Sequence, residues 1–159
     1  NDLKPKVIQC DIHGANGLAF SADQRWMYTS DTPNAVIYRT PLDEQGEPGR
    51  REVFRRFQPG EGIPDGAAID VEGCYWSAMF DGWRIARFSP QGEELETYPM
   101  PVRCPTMVCF GGADMKTLYI TTTRENMEDD ELAKYPLSGA IFTLPVAVAG
   151  MKKLPFRER

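Results

Sequence analysis

Asn16 and Asp65 are the two side chains of this 159-residue sequence whose types and spacing best suit them to chemistry. Each stands just before a glycine at the head of a β-type apolar run, Asn16-Gly17-Leu18-Ala19-Phe20 in one case and Asp65-Gly66-Ala67-Ala68-Ile69 in the other. An amide oxygen and a carboxylate oxygen make a hard donor set suited to Ca²⁺, Mg²⁺, Mn²⁺ or a catalytic Zn²⁺, although two protein ligands leave the shell incomplete. Asn-Gly and Asp-Gly are also common turn dipeptides, and spacing alone favours that plainer reading. Nucleophilic catalysis has less support. No Gly-x-Ser-x-Gly elbow occurs, and His13, the single histidine, leaves none over to activate a Ser or Cys elsewhere.

The elements that must carry these residues are strands. Segments rich in Val, Ile, Tyr, Phe, Trp and Thr recur between turn signals, and no window holds an amphipathic helical pattern for three turns. The segments repeat. Asn16 to Phe20 leads to Trp26-Met27-Tyr28-Thr29-Ser30 and Val36-Ile37-Tyr38. Asp65 to Ile69 leads to Cys74-Tyr75-Trp76-Ser77-Ala78 and Arg84-Ile85-Ala86-Arg87-Phe88. A third copy runs from Pro105-Thr106-Met107-Val108-Cys109-Phe110 through Thr117-Leu118-Tyr119-Ile120-Thr121 to Gly139-Ala140-Ile141-Phe142. Tyr28, Trp76 and Tyr119 thus recur at roughly 45-residue intervals, the period of propeller blades.

This predicts an all-β chain of four-stranded blades over residues 14–58, 63–100 and 104–157. Outer strands are expected at Glu52–Phe57, Glu94–Tyr98 and Met151–Phe156, and residues 1–12, chiefly Lys6–Ile12, are expected to form the outer strand of a preceding blade. Propellers close with roughly four to eight blades, so three make a partial ring. Loops entering the innermost strands share one face of such a ring, which would aim Asn16 and Asp65 at the central axis from adjacent blades.

Composition narrows the partners. A formal charge of -5 is the wrong sign for binding nucleic-acid phosphates, and no apolar run is long enough for a membrane span. The N-terminal residues lack a signal-peptide core, which makes the cytoplasm the default expectation. Cys10, Cys74, Cys104 and Cys109 show no Cys-x-x-Cys pair and are expected to be reduced and buried. Arg50, Arg51, Arg55 and Arg56 flank an outer strand, where charges are expected to solvate an edge. Glu125 and the Glu128 to Glu131 run are expected in a solvated loop, with a lid as the minor alternative.

Five segments, Asn16 to Ser21, Ile63 to Asp70, Arg84 to Phe88, Cys109-Phe110-Gly111-Gly112 and Leu118 to Thr121, resemble in order the C-terminal half of the gluconolactonase/regucalcin (senescence marker protein) family. The resemblance covers nearly the whole chain. It implies a six-bladed propeller holding one divalent cation, Ca²⁺, Zn²⁺, Mn²⁺ or Mg²⁺, and hydrolysing small sugar lactones to aldonic acids. The family's asparagine ligand falls on Asn16, and its aspartate ligand, also the proposed base, falls on Asp65. A glutamate ligand and substrate-positioning Arg and Asn residues belong to blades absent here, so the missing N-terminal half or a second copy is needed to close the ring. His13 and Trp83 are weaker substrate-binding candidates, the first for its place near the channel mouth and the second as a platform for a sugar ring. A non-catalytic calcium-binding propeller, or a propeller esterase or phosphotriesterase, is the alternative on the same scaffold.

Overall fold

The computed structural model describes residues 4–152. Three antiparallel sheets follow one another along the chain. The first contains β1 (Ala15–Phe20), β2 (Trp26–Asp31), β3 (Val36–Pro41) and β4 (Glu52–Arg56); the second, β5 (Ile63–Ile69), β6 (Tyr75–Phe80), β7 (Arg84–Phe88) and β8 (Glu94–Pro99). The third contains β9 (Pro105–Gly111), β10 (Thr117–Thr122) and β11 (Ile141–Pro145). Each is an up-and-down meander, so β1, β5 and β9 occupy equivalent edges, and β1 packs on β5 as β5 packs on β9.

Burial follows from this stacking. Successive residues of a strand point to opposite faces, so a sheet covered on both sides must be apolar throughout. The second sheet is such a case. On β6, Tyr75 and Met79 join Tyr28, Ile37, Phe54 and Phe88 in the core against the first sheet, whereas Trp76 and Ala78 join Val108, Phe110, Leu118 and Ile120 in the core against the third. Five consecutive residues of β6 are therefore buried, while β10, covered on one face, alternates buried Leu118 and Ile120 with exposed Tyr119 and Thr121.

A buried charge network ties the second sheet together. Asp70 and Arg87 pair at 2.8 Å with almost no exposure of either side chain. The Asp70 carboxylate also accepts hydrogen bonds from the backbone N–H groups of Glu72 and Cys74 and from the Trp76 indole, all within residues 70–76. Arg87 spends its remaining donors on Glu72 and Glu96.

Several local expectations change. Lys6–Ile12 forms no strand; the segment is irregular and mostly exposed, because an extended chain becomes a strand only when a neighbour takes its N–H and C=O groups. Met151 and Lys152 are irregular, and the rest of the expected Met151–Phe156 strand lies outside the described residues. The acidic run holds one short helix, α1 (Asp129–Lys134), whose first-turn carboxylates suit the positive end of a helix. Cys74 and Cys104 are buried, but Cys10 and Cys109 are exposed: Cys10 lies in the irregular segment, and Cys109 faces outward between buried Val108 and Phe110. Arg55 is not a solvated edge charge. Its guanidinium lies over the rings of Phe57 and Phe88 and reaches Gly92 O at 3.0 Å and Glu94 in the next sheet. No helix among the described residues is long and apolar enough to cross a membrane.

Removing one partner of a buried ion pair strands the other, so Asp70→Ala should cost about 3–5 kcal/mol in urea unfolding. Adding Arg87→Met to that variant should recover part of the loss. Unchanged stability of Asp70→Ala would show that the network contributes nothing.

Candidate functional site

Each edge strand β1, β5 and β9 has the same irregularity near its start. The register slips by one residue between Asn16 and Ala19 in β1, between Pro64 and Ala67 in β5, and between Pro105 and Met107 in β9. Such β-bulges re-aim a side chain and add local twist. Asn16 stands directly before the slip in β1, and Asp65 and Thr106 stand within the slips of β5 and β9.

Asn16 and Asp65 meet. The Asn16 amide donates directly to a carboxylate oxygen of Asp65, while the Asn16 oxygen accepts the Gly17 N–H at 3.0 Å. The contact depends on backbone close approach. Gly17 has φ of 56°, and a Cβ there would run into the Tyr75 hydroxyl and lie 2.6 Å from Ser30 Oγ. At Gly66 a Cβ would meet the Met107 sulfur and lie 2.6 Å from the Thr106 carbonyl oxygen. Side chains then fasten the two strands: the Tyr75 hydroxyl donates to Gly17 O at 2.8 Å, Ser30 to Asp65 O at 3.1 Å, and Thr32 to Pro64 O at 2.8 Å.

Burial pushes the Asp65 carboxyl up to about 6, offset only in part by the hydrogen bond from Asn16. Among the described residues no basic side chain forms an ion pair with it. The site thus presents one under-compensated carboxylate with an amide in contact, and these donors fit a hard divalent cation as part of a shell. No group of three or more His, Cys, Asp or Glu side chains that could hold a metal occurs among the described residues.

His13 stands on the loop entering β1, its ring largely exposed and 2.8 Å from Asn34. Asn34 also donates to Asp31 at 2.9 Å, and Asp31 accepts the backbone N–H groups of His13 and Gly14. Burial alone would raise the Asp31 carboxyl, but these hydrogen bonds outweigh it and hold it below its ordinary value. His13 is therefore held near the end of β1 that carries Asn16, by partners other than Asn16 and Asp65. Trp83 packs edge-on against Tyr135, with ring centroids 4.7 Å apart. A cavity of about 600 Å³ runs along β1, β5 and β9; its wall is mainly apolar, including Leu18, Phe20, Ile69, Met107 and Phe110, and excludes Asn16 and Asp65.

The sequence reading passed over Thr106, because threonine in a strand carries no signal of its own. The repeat alignment could have marked it, since Thr106 falls in register with Asn16 and Asp65.

The raised Asp65 has a consequence for stability. The folded state keeps a proton there that the unfolded chain releases in the ordinary carboxylate range, so the associated stability is present in acid and lost as pH rises through about 6. In EDTA at about pH 7.5, Asp65→Asn should melt roughly 3–6 °C above wild type, the gap closing below about pH 4. Ca²⁺ should raise the wild-type melting temperature at the higher pH and leave the variant unmoved. Coincident melting curves at every pH would show that Asp65 carries no such burden.

Comparison with known proteins agrees with this architecture. Residues 1–124 match the family described as SMP-30/Gluconolactonase/LRE-like region. The chain is 55% identical to the 6-deoxy-6-sulfogluconolactonase of Pseudomonas putida over 92% of its own length and 51% of that protein's. It is 40% identical to regucalcin of Danio rerio over 97% of its length and 58% of that protein's. A crystal structure of a calcium-binding protein, regucalcin, from Agrobacterium tumefaciens superposes with a TM-score of 0.89 at 31% identity, covering 95% of this chain and 52% of that one. A gluconolactonase from Xanthomonas campestris superposes at 0.66 with 28% identity, over 87% of this chain and 40% of that one. The chain spans about half the length of the curated relatives it matches. Three stacked antiparallel sheets, their order and the match over residues 1–124 together place the chain in the SMP-30/gluconolactonase/LRE-like family.

Proposed function

We propose that this chain carries the Asn16 and Asp65 side of a sugar-lactone hydrolase, a six-bladed propeller to which it contributes three C-terminal blades. The contact between Asn16 and Asp65 at matching bulges of neighbouring sheets carries this reading. The 55% identity to a protein named as a sulfogluconolactonase supports the substrate class, a small aldonolactone. Exposed Met107, Cys109, Tyr119 and Ile141 leave part of the third sheet uncovered, which supports completion by further blades.

In this reading Asn16 and Asp65 are two ligands of one divalent cation. Bound there, the cation would supply Lewis-acid stabilisation of the charge that develops on a lactone carbonyl. Asp65 orients the attacking water and takes its proton as the water oxygen bonds to the carbonyl carbon. The ring C–O bond then breaks, and the released alkoxide takes up a proton to give the hydroxy acid. General-base help of this kind is typically worth about 10²–10⁴ in rate. Asn16, neutral throughout, can hold and orient but cannot accept the proton. Near neutrality Asp65 is largely ionised and still basic, as this role requires.

A second reading is a calcium-binding propeller without turnover, supported by the likeness to a structure described as a calcium-binding protein, regucalcin. Acid release from D-glucono-δ-lactone separates the two. The chain would be assayed alone and joined to the N-terminal half of the Pseudomonas putida relative, with Ca²⁺, Zn²⁺, Mn²⁺ or EDTA. The joined protein should show metal-dependent turnover that falls at least ~10²-fold in Asp65→Ala. Tight Ca²⁺ binding without turnover would favour the second reading, and turnover indifferent to both EDTA and Asp65→Ala would overturn the first.

A further inference from the structure

We propose that Thr106 is a substrate-contacting residue of the same site, its hydroxyl binding a ring hydroxyl of the lactone beside Asp65. This rests on the lactonase reading above and adds a polar contact from the third sheet.

A register slip lies near the start of β1, β5 and β9, with Asn16 just before it in the first strand and Asp65 and Thr106 within it in the other two. The three positions are also adjacent in space in the same manner. The Asp65 carbonyl oxygen lies 3.0 Å from where a Cβ on Gly17 would stand, and the Thr106 carbonyl oxygen lies 2.6 Å from the corresponding point on Gly66. Thr106 therefore follows Asp65 around the inner edge as Asp65 follows Asn16.

Its chemistry suits a neutral polyol. The Thr106 hydroxyl is 2.8 Å from the hydroxyl of Thr121, which is exposed on β10. Two hydroxyls bring two O–H donors, and their mutual bond uses one. The other O–H and the remaining lone pairs have no protein partner among the described residues, which leaves a donor and acceptors on the strand next to the one that carries Asp65. A lactone ring bearing several hydroxyls needs this kind of recognition, and a cation does not. A cross-strand Thr pair can also serve only to hold two strands together, contributing stability and no binding. The test must separate these roles.

The chain joined to the N-terminal half of the Pseudomonas putida relative would be titrated with CaCl₂ and then, with Ca²⁺ present, with D-gluconate, followed by amide NMR. Wild type is expected to shift the amides of Asn16, Asp65 and Thr106 on gluconate addition. Thr106→Val should weaken gluconate about fivefold to tenfold, the loss expected for one hydrogen bond, with Ca²⁺ affinity unchanged within about twofold. Thr106→Ser, which keeps the hydroxyl, should restore gluconate binding. Thermal melts check that both variants fold. Gluconate binding by Thr106→Val equal to wild type would overturn the proposal, as would a parallel loss of Ca²⁺, which would mark a structural role. If wild type itself bound neither Ca²⁺ nor gluconate, the lactonase reading would fail and this proposal with it, an outcome distinguished by appearing before any substitution is made.

Discussion

One extra residue near the start of each innermost strand determines what this scaffold can present. A regular strand would continue its strict alternation and send every second side chain into the inter-sheet core. The bulge interrupts that alternation, so a polar side chain can stand at the strand's head while the residues after it resume apolar packing. Its cost is steric. Gly17 and Gly66 are the positions where the neighbouring strand comes too close for a Cβ, and they explain why both candidate ligands are followed by glycine. The turn-forming preference of these dipeptides and their placement of a polar group are thus parts of one arrangement.

The cores on either side of the second sheet hold this arrangement in place. Tyr75 illustrates the coupling: its ring packs with Tyr28 and Phe54 of the first sheet, and its hydroxyl donates to the Gly17 carbonyl in the bulge. The aromatic core and the geometry of Asn16 are therefore not independent. Asp70 and Arg87 do comparable work within the second sheet, trading the desolvation of two charges for a set of satisfied hydrogen bonds. Asp65 is the counterexample: a partly buried carboxylate with one amide in contact and, among the described residues, no cation paired with it. Asp31 and Asp70 each collect several donors, whereas the Asp65 carboxylate takes one amide among the described residues.

The relatives of this chain extend over roughly twice its length, and its third sheet leaves an outward face partly uncovered. The proposed two-ligand half-site agrees with that geometry. Hard divalent cations need more oxygens than Asn16 and Asp65 supply, and a ring of inward-facing strand heads is a natural way to collect them from several blades. The apolar cavity along the inner strands has a different character from the polar strand heads, so polar chemistry is confined to one end of those strands.

Strand periodicity, turn punctuation and the recurring aromatics made the three sheets legible in the sequence, because each blade must bury its own alternating faces and repeats the same solution. The pairing of Asn16 with Asp65 was legible for the same reason: equivalent positions in repeats become neighbours when the repeats stack. Other features depended on the tertiary arrangement. Arg55 reads as an edge charge until the second sheet brings Gly92, Glu94 and Phe88 to it, and Cys109 reads as buried until the third sheet proves to be covered on one face only. The Asp65 carboxyl is raised by the packing around it, and Thr106 stands beside it because β5 and β9 approach there. Sequence by itself determined which residues alternate, where strands turn and which positions repeat, since those are local consequences of side-chain size and backbone freedom. Exposure, charge compensation and contact between side chains far apart in the chain were decided only by how the sheets pack, because each depends on what a neighbouring strand brings.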